Sequence, residues 1–184
     1  MAKLRTLPAC RALISHRDGA VAVEMALMLP TMLALIFVCM EAGYYLYTEH
    51  QIIKGVRDGA RYAGRQSFSS LSCTQAPSAA LVTAIKNVTV YGKVSPTSTD
   101  TPRISTWTVP DTAGQSTTTI TVTCAAAGAV SGSGSYTGIY TVLGGAPVVK
   151  VSASVQYPSL FKQLTSFGTA KLIGASDQAA VMGV

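Results

Sequence analysis

Residues 17–66 read RDGAVAVEMALMLPTMLALIFVCMEAGYYLYTEHQIIKGVRDGARYAGRQ, and this stretch decides the fold. Its apolar part, residues 20–40, contains 21 residues and a single charged side chain, that of Glu24. At about 1.5 Å per residue, a helix of this length extends about 31 Å, enough to cross a hydrocarbon core of about 30 Å. We therefore predict one membrane-spanning helix, the alternative being a buried helix of a soluble protein.

The charges before the apolar run predict the orientation of the span. The chain has 14 Lys and Arg against 8 Asp and Glu, and residues 1–19 hold four of the basic residues with Asp18 as their only acidic neighbour. Basic residues beside a span favour the cytoplasmic side, so the chain after Glu41 should be exported. A cleaved secretory signal is the competing interpretation, but its apolar core is shorter, so we expect the span to be retained.

Three tyrosines follow the apolar run directly, at Tyr44, Tyr45 and Tyr47. Amphipathic rings favour the boundary between membrane and water, so these residues predict an aromatic belt. Ordinary packing within the exported domain is the alternative.

The helix should continue over residues 49–66 as an amphipathic segment. At about 100° per residue, one face collects apolar and small residues, namely Ile52, Val56, Gly59, Ala60 and Ala63. The opposite face collects four basic residues, Lys54, Arg57, Arg61 and Arg65. We expect the apolar face to hold the exported domain and the basic face to meet solvent, membrane lipid headgroups or an acidic partner.

Two features of this helix predict packing against other elements. Pro30 has no amide hydrogen, so the carbonyl of Ala26 loses its hydrogen-bond partner and the helix should bend. Such a proline is tolerated in a membrane helix because neighbouring helices can satisfy the freed carbonyl. Small residues recur every four positions at Gly55, Gly59 and Ala63, so another backbone could approach closely along this stripe.

The composition shifts after residue 66 to Ser, Thr, Gly and Val, which indicates extended structure. We expect a short helix at residues 79–87 and an irregular loop at residues 125–145. Five strands are predicted, at residues 88–94, 103–109, 117–124, 148–157 and 171–182. The predicted class is therefore α+β, with a long N-terminal helix before a small antiparallel sheet.

The expected divisions of the chain follow from these elements. Residues 1–19 form a basic cytoplasmic leader, residues 20–66 form the transmembrane helix with its amphipathic extension, and residues 67–184 form an extracytoplasmic β-rich domain. The last segment is long enough for one modest core.

Two of the four cysteines, Cys73 and Cys124, lie in the exported part. An oxidising compartment favours a disulfide between them, and a loop of about 50 residues closed in this way gains roughly 4 kcal/mol in the chain-entropy model. Two free buried thiols are the alternative. No Cys or His spacing typical of a metal site is present, so we predict no metal.

The exported part is poor in catalytic side chains. Both histidines, His16 and His50, precede residue 67, and the carboxylates beyond the basic helix are Asp100, Asp111 and Asp177, each in an apparent turn or tail. No Ser-His-Asp arrangement and no phosphate-binding glycine motif can be assigned. We predict no catalytic residue, no cofactor and no small-molecule substrate, the alternative being a membrane-tethered enzyme that uses the three aspartates.

The basic excess does not predict nucleic-acid binding. Without residues 1–19 the chain has ten basic and seven acidic residues, and four of the basic ones lie on one face of the helix that follows the apolar run. Lipid headgroups or a protein partner explain this placement better than nucleic acid.

Glu24 needs an explanation, because an isolated carboxylate costs roughly 2 to 3 kcal/mol near mid-bilayer. It lies five positions after Gly19. If the chain were cut between Gly19 and Ala20, the new α-amino group would be a cation that Glu24 could neutralise, on its own chain or on a neighbouring subunit. An interfacial carboxylate that reaches the cytoplasmic surface is the alternative.

Gly19, the apolar run with Glu24 and Pro30, and the later residues GARYA at positions 59–63 together resemble the TadE-like family of the tight-adherence (Tad) pilus system. The resemblance covers residues 17–65, and residues 172–182 are similar to the small-residue ending of such proteins. It implies a pilin-like protein of the bacterial inner membrane, a minor pseudopilin with a periplasmic domain. It also implies cleavage after Gly19 by a prepilin peptidase, with Gly19, Ala20 and Glu24 as recognition positions.

The resemblance further implies other Tad pilins and the inner-membrane assembly platform as partners, and a role in Flp pilus assembly and surface adherence. An uncleaved, single-pass membrane-anchored scaffold or adhesin of the cell envelope is the alternative function.

Overall fold

The computed structural model describes residues 17–125, 145–161 and 171–183. Two helices, α1 (Arg17–Gly64) and α2 (Ala79–Tyr91), precede three strands, β1 (Ser116–Ala125), β2 (Ala146–Gln156) and β3 (Leu172–Ala180). Compactness divides the chain into two units, Met1–Gly43 and Tyr44–Val184. The predicted α+β class, a long N-terminal helix before an antiparallel sheet, is confirmed.

Two expectations fall on residues that the structure does not describe. Most of the predicted basic leader, residues 1–16, lies outside the described residues, and so does the interior of the predicted loop, residues 126–144.

Helix α1 is continuous over 48 residues, with Pro30 in its interior. In the first unit, the side chains of residues 21–43 are exposed except for those of Phe37 and Glu41, which are half-buried. The helix ends at Gly64, two residues before the predicted end. There the amides of the next two residues bond to carbonyls three positions back, which tightens the last turn.

Helix α2 is longer than predicted, and the strand expected at residues 88–94 is wrong. Ser78 caps the helix by accepting the Leu81 amide at 3.3 Å, and Gly92 ends it with φ 75° while its amide bonds to the Val88 carbonyl at 2.9 Å. Ile85, Val88 and Thr89 share one helical face and are buried. Burial of this face therefore prevails over the β preference of the branched residues.

The strand expected at residues 103–109 is also wrong, because this segment forms turns. The amide of Trp107 bonds to the carbonyl of Ile104 at 3.0 Å, and both side chains are buried, at 0% and 6% exposed. The spacing of three between these buried residues belongs to a turn and not to a strand, in which alternate residues face the core.

The three remaining strand predictions are confirmed, with bounds shifted by a few residues. The sheet order is β1-β2-β3, and both pairs are antiparallel. Alternate residues of β2 are buried, including Val149, Val151 and Val155. Opposite them in register lie Val122, Ile120 and Ser116 of β1, so this face of the sheet points to the core.

One core joins the second part of α1, helix α2 and the inner face of the sheet. Its largest fully buried side chains are Trp107, Ile52, Leu71 and Ile85. The outer face is rich in hydroxyl groups, and four exposed threonines alternate along β1, Thr117, Thr119, Thr121 and Thr123.

Cys73 and Cys124 form a disulfide whose Cα atoms lie 5.7 Å apart. The bond joins the segment after α1 to the end of β1 across 51 positions. Cys39 in α1 is a free and exposed cysteine.

We expect the double change Cys73→Ser and Cys124→Ser to lower the free energy of unfolding of the second unit by about 4 kcal/mol, because the unfolded chain loses a long closed loop. The measurement is urea unfolding of the detergent-solubilised chain, followed by the fluorescence of Trp107, the single tryptophan. Cys39→Ser is the matched control and should keep the parent midpoint. Equal midpoints for the double variant and this control would contradict the prediction.

Candidate functional site

The N-terminal part of α1 is suited to a membrane. Among the described residues, one helix is long and apolar enough to cross a bilayer, Val21–Gly64, with a mean hydropathy of 2.2 over its best 18 residues. None of this window is buried within the protein, and large side chains such as Leu27 are 73% exposed. An apolar surface of this extent is favourable in hydrocarbon and costly in water, so the helix is compatible with a single-pass anchor.

The predicted recognition positions lie at the start of this helix. Nothing lies within 4 Å of the position that a Cβ atom would take at Gly19. Ala20 follows in the same helix, and Glu24 and Pro30 are exposed. Whether a peptidase recognises these residues stays a prediction.

The later part of α1, within the second unit, has two different faces. Its apolar face is fully buried, with Ile52 and Ala63 at 0% and Val56 and Ala60 at 1% exposed. The four basic residues of the other face are all exposed, Lys54, Arg57, Arg61 and Arg65. The apolar face therefore binds the domain, as expected, and the basic face is available for contacts.

The small-residue stripe lets the domain's own elements approach α1. A Cβ atom at Gly55 would lie 2.5 Å from the Thr89 carbonyl oxygen and 2.9 Å from the ring of Trp107. A Cβ atom at Gly59 would collide with the Thr89 hydroxyl, which donates to the Ile85 carbonyl at 2.8 Å. Close approach along the stripe thus occurs between α1 and α2 of one chain.

Two polar contacts that sequence reasoning missed fix this packing. The Trp107 indole donates to the Thr118 hydroxyl at 3.0 Å in the core. The Arg103 guanidinium pairs with the Asp58 carboxylate of α1 at 2.7 Å. No sequence signal identifies Arg103 as the partner of Asp58, because the two residues are 45 positions apart. The presence of Asp58 within a basic helical segment indicates an ion pair but not its partner.

The tyrosines after the apolar run contact the domain. The ring of Tyr157, just after β2, lies 6.0 Å from that of Tyr44 and 5.3 Å from that of Tyr45. Tyr47 stacks on Tyr44 with centroids 6.3 Å apart and is 57% exposed. The alternative of ordinary packing within the domain therefore holds for Tyr44 and Tyr45, whereas the ring of Tyr47 stays exposed.

The three aspartates of the enzyme alternative have separate structural roles. Asp111 pairs with Lys86 at 2.6 Å and accepts the Thr118 amide. Asp100 pairs with Lys93 in a surface turn, and Asp177 lies opposite Val151 in the sheet. The described residues contain no group of three or more His, Cys, Asp and Glu side chains placed to hold a metal.

An open groove beside α2 has no ionisable side chain in its lining, which consists of Ala79, Ala80, Thr83, Ala84, Asn87, Val94 and Ser95. This groove therefore offers no acid, base or charged ligand group for a reaction.

Comparison with known proteins identifies a family for part of the chain. Residues 19–61 match the family model described as TadE-like protein, so the resemblance found in the sequence is confirmed over that segment. No curated protein and no solved structure matches the chain. The match covers the apolar part and most of the amphipathic segment of α1.

We expect Gly59→Ala to lower the free energy of unfolding by about 1 to 3 kcal/mol, because the new methyl group collides with a side chain of α2 that is itself buried. Gly43→Ala is the control, since nothing lies within 4 Å of a Cβ atom there. Urea unfolding followed by Trp107 fluorescence measures both. A Gly59→Ala midpoint equal to that of the control would contradict the close packing.

The Asp100 carboxylate should titrate at an unusually low pH. Its hydrogen bonds with Lys93 and with the amide and hydroxyl of Thr97 lower the pKa of Asp100 from 3.8 to about 2. Because this folded-state pKa is depressed, the stabilisation it gives is present above the unfolded pKa and is lost as pH falls through the folded value. Carboxyl-carbon NMR should report the low midpoint, with Lys93→Ala raising it and Lys171→Ala leaving it unchanged.

Proposed function

We propose, from the match of residues 19–61 to the TadE-like family, that the chain is a minor pilin-like component of the Tad (Flp) pilus assembly system. In this role it supports pilus biogenesis and surface adherence and performs no reaction itself. The observation that carries the proposal is the difference between the two parts of α1. The first part exposes its apolar side chains, and the second part packs against a small domain that contains the sheet.

The proposed location is the bacterial inner membrane, with one span. The basic residues of the leader support a cytoplasmic N-terminus and therefore a periplasmic second unit. A periplasmic domain is consistent with the disulfide between Cys73 and Cys124, because disulfides persist in that compartment.

The proposed processing step removes residues 1–19. A prepilin peptidase is the partner that recognises Gly19, Ala20 and Glu24 and cuts between the first two. The new α-amino group then provides a cation near Glu24, which reduces the cost of that carboxylate in the apolar run. Gly19 adds no side chain at the cleavage site, and no described residue lies against it.

The proposed assembly partners are other Tad pilins and the inner-membrane platform. The exposed apolar part of α1 offers lateral packing within the bilayer, where Pro30 leaves a carbonyl for neighbouring helices to satisfy. Lys54, Arg57, Arg61 and Arg65 are exposed on the basic face and form no ion pair with another described residue. This face therefore suits an acidic surface of a partner or anionic headgroups.

The alternative is an uncleaved scaffold or adhesin that keeps the same anchor. It explains the span and the domain equally well, but it provides no cation near Glu24. The presence or absence of cleavage after Gly19 distinguishes the two functions.

We expect the protein isolated from cells with a working prepilin peptidase to begin at Ala20, as measured by intact mass. Gly19→Val should keep residues 1–19 attached, because the β-branched side chain blocks close access to the peptide bond, whereas Gly43→Val should not affect the mass loss. The same masses should be compared in cells that lack the peptidase. Full-length chain carrying Met1 in the presence of the enzyme would favour the uncleaved scaffold.

A further inference from the structure

The basic face in the second unit is a narrow, straight row of exposed cations. Lys54, Arg57 and Arg61 lie on α1, and Arg65 lies in the turn directly after it. Successive members are three or four positions apart in the sequence, so each lies about one helical turn from the next. At about 1.5 Å per residue, the row is about 16 Å long.

No ion pair between described residues neutralises the basic face. The carboxylate in the best position on the helix is that of Asp58, four positions after Lys54 and three before Arg61. The guanidinium of Arg103 already binds this carboxylate at 2.7 Å. Like charges three or four positions apart on a helix repel each other, so an anionic partner would relieve a repulsion that the free protein retains.

The helix dipole accounts for only part of this face. Cations near the C-terminal end of a helix interact favourably with its dipole, but the effect is confined to about the last turn. Arg61 lies in the last turn of α1, and Arg65 follows the helix. Arg57 and Lys54 lie seven and ten positions before the end at Gly64, so the dipole does not explain their presence in the row.

An exposed aromatic ring lies in line with the cations. Tyr47 comes seven positions, about two helical turns, before Lys54 and is therefore on the same side of α1. Its side chain is 57% exposed. Tyrosine and arginine are two of the residue types that contribute most to binding energy at protein interfaces. The face from Tyr47 to Arg65 is about 27 Å long, enough to contact a helix of several turns.

We propose that the basic face binds an acidic α-helix of a second protein, which lies along α1 and pairs its carboxylates with Lys54, Arg57, Arg61 and Arg65. This inference rests on the assembly role proposed above and specifies the chemistry of one partner. Carboxylates three or four positions apart on a helix have the same spacing as the cations of the row. Arginine can bind each carboxylate through two parallel hydrogen bonds, which favours this partner further.

A lipid surface fits the basic face less well than an acidic helix. Helices that lie in a membrane interface insert an apolar side among the lipids. The apolar side of this part of α1 is occupied by the core of the domain, since Ile52, Val56 and Ala60 are at most 1% exposed. Only the charged side is available, and its single line of cations matches a rod-like partner.

A second copy of the chain does not supply the complementary charges from its second unit. Asp58, Asp100 and Asp111 each pair with a basic residue of their own chain. The other two acidic residues after Gly43 are Glu49 on α1 and Asp177 on β3. The described elements of this unit therefore contain no row of available carboxylates, and the partner is a different protein.

The test places the photo-crosslinking amino acid p-benzoylphenylalanine at Lys54 of the full chain, in cells of the organism that produces it. Irradiation should join this position to another protein, and mass spectrometry should locate the joined residue in an acidic helix with carboxylates three or four positions apart. The matched control places the same amino acid at Lys150, an exposed residue of β2, and should not give this product.

Substitutions in the row provide the second measurement. Arg57→Gln with Arg61→Gln should lower the yield of the crosslinked product about tenfold, because two ion pairs are lost. Lys150→Gln with Lys171→Gln removes the same charge from exposed positions elsewhere and should keep the parent yield. Arg61→Glu should also lower the yield, and a change of the facing carboxylate of the captured helix to lysine should restore it. Formation of the disulfide and an unchanged circular dichroism spectrum verify that each variant is folded.

Four results would overturn the acidic-helix partner. A phospholipid joined at position 54 would assign the basic face to lipid headgroups, and a second copy joined there would assign it to self-association. The third result is the absence of a protein product, or a product whose joined segment lacks the carboxylates. The fourth is an equal loss of yield in the two glutamine double variants, which would show an effect of net charge alone.

These measurements are independent of cleavage after Gly19, so their failure would leave the proposed processing untouched. Conversely, capture of an acidic helix from a protein with no part in pilus assembly would support this inference and contradict the proposed function.

Discussion

The approach of α1 to α2 at Gly55 and Gly59 is the contact on which the second unit depends. Thr89 and Trp107 occupy the space where side chains of α1 would otherwise lie. Trp107 in turn reaches β1 through its hydrogen bond with Thr118. Two residues without side chains therefore allow both helices and the sheet to share one core, and a larger residue at either position would separate α1 from that core.

The side chains of α1 differ between its first and second parts. Over residues 21–40 apolar side chains surround the helix and Glu24 is the single charged residue, a pattern typical of a helix whose whole circumference meets apolar material. From Ile52 onwards one face is buried by the domain and the other carries exposed basic residues. The boundary between the two compact units, after Gly43, falls between these regions.

The sequence predicted the elements whose periodicity is local and missed those decided by tertiary contacts. The alternation of apolar and polar residues in Thr117–Thr123 and in Val149–Val155 was sufficient to predict β1 and β2, because each strand has one solvent-exposed face. Val88 and Val90 misled the prediction of α2, since their branched side chains favour strands while their burial required the helix to continue. The turn that buries Trp107 has no alternation of apolar and polar residues, so its sequence could not show which side chains face the core.

The candidate site divides in the same way. The apolar run and the faces of the amphipathic segment could be predicted because they depend on spacing within one helix. The ion pair between Asp58 and Arg103 and the packing of Tyr157 on Tyr45 could not, since each joins residues far apart in the chain. The proposed recognition of Gly19 and Glu24 would involve a second protein, so neither spacing nor packing within this chain decides it.

The disulfide lies beside the connection between β1 and β2. Ala125 and Ala146 are paired in register, and the Cys73 sulfur lies 3.6 Å from the Gly145 carbonyl, so the chain leaves and re-enters the sheet at one covalently secured point. Closing a longer connection at such a point costs only about 0.6 kcal/mol for each doubling of its length. The length of the connection between β1 and β2 therefore has little effect on the free energy of folding.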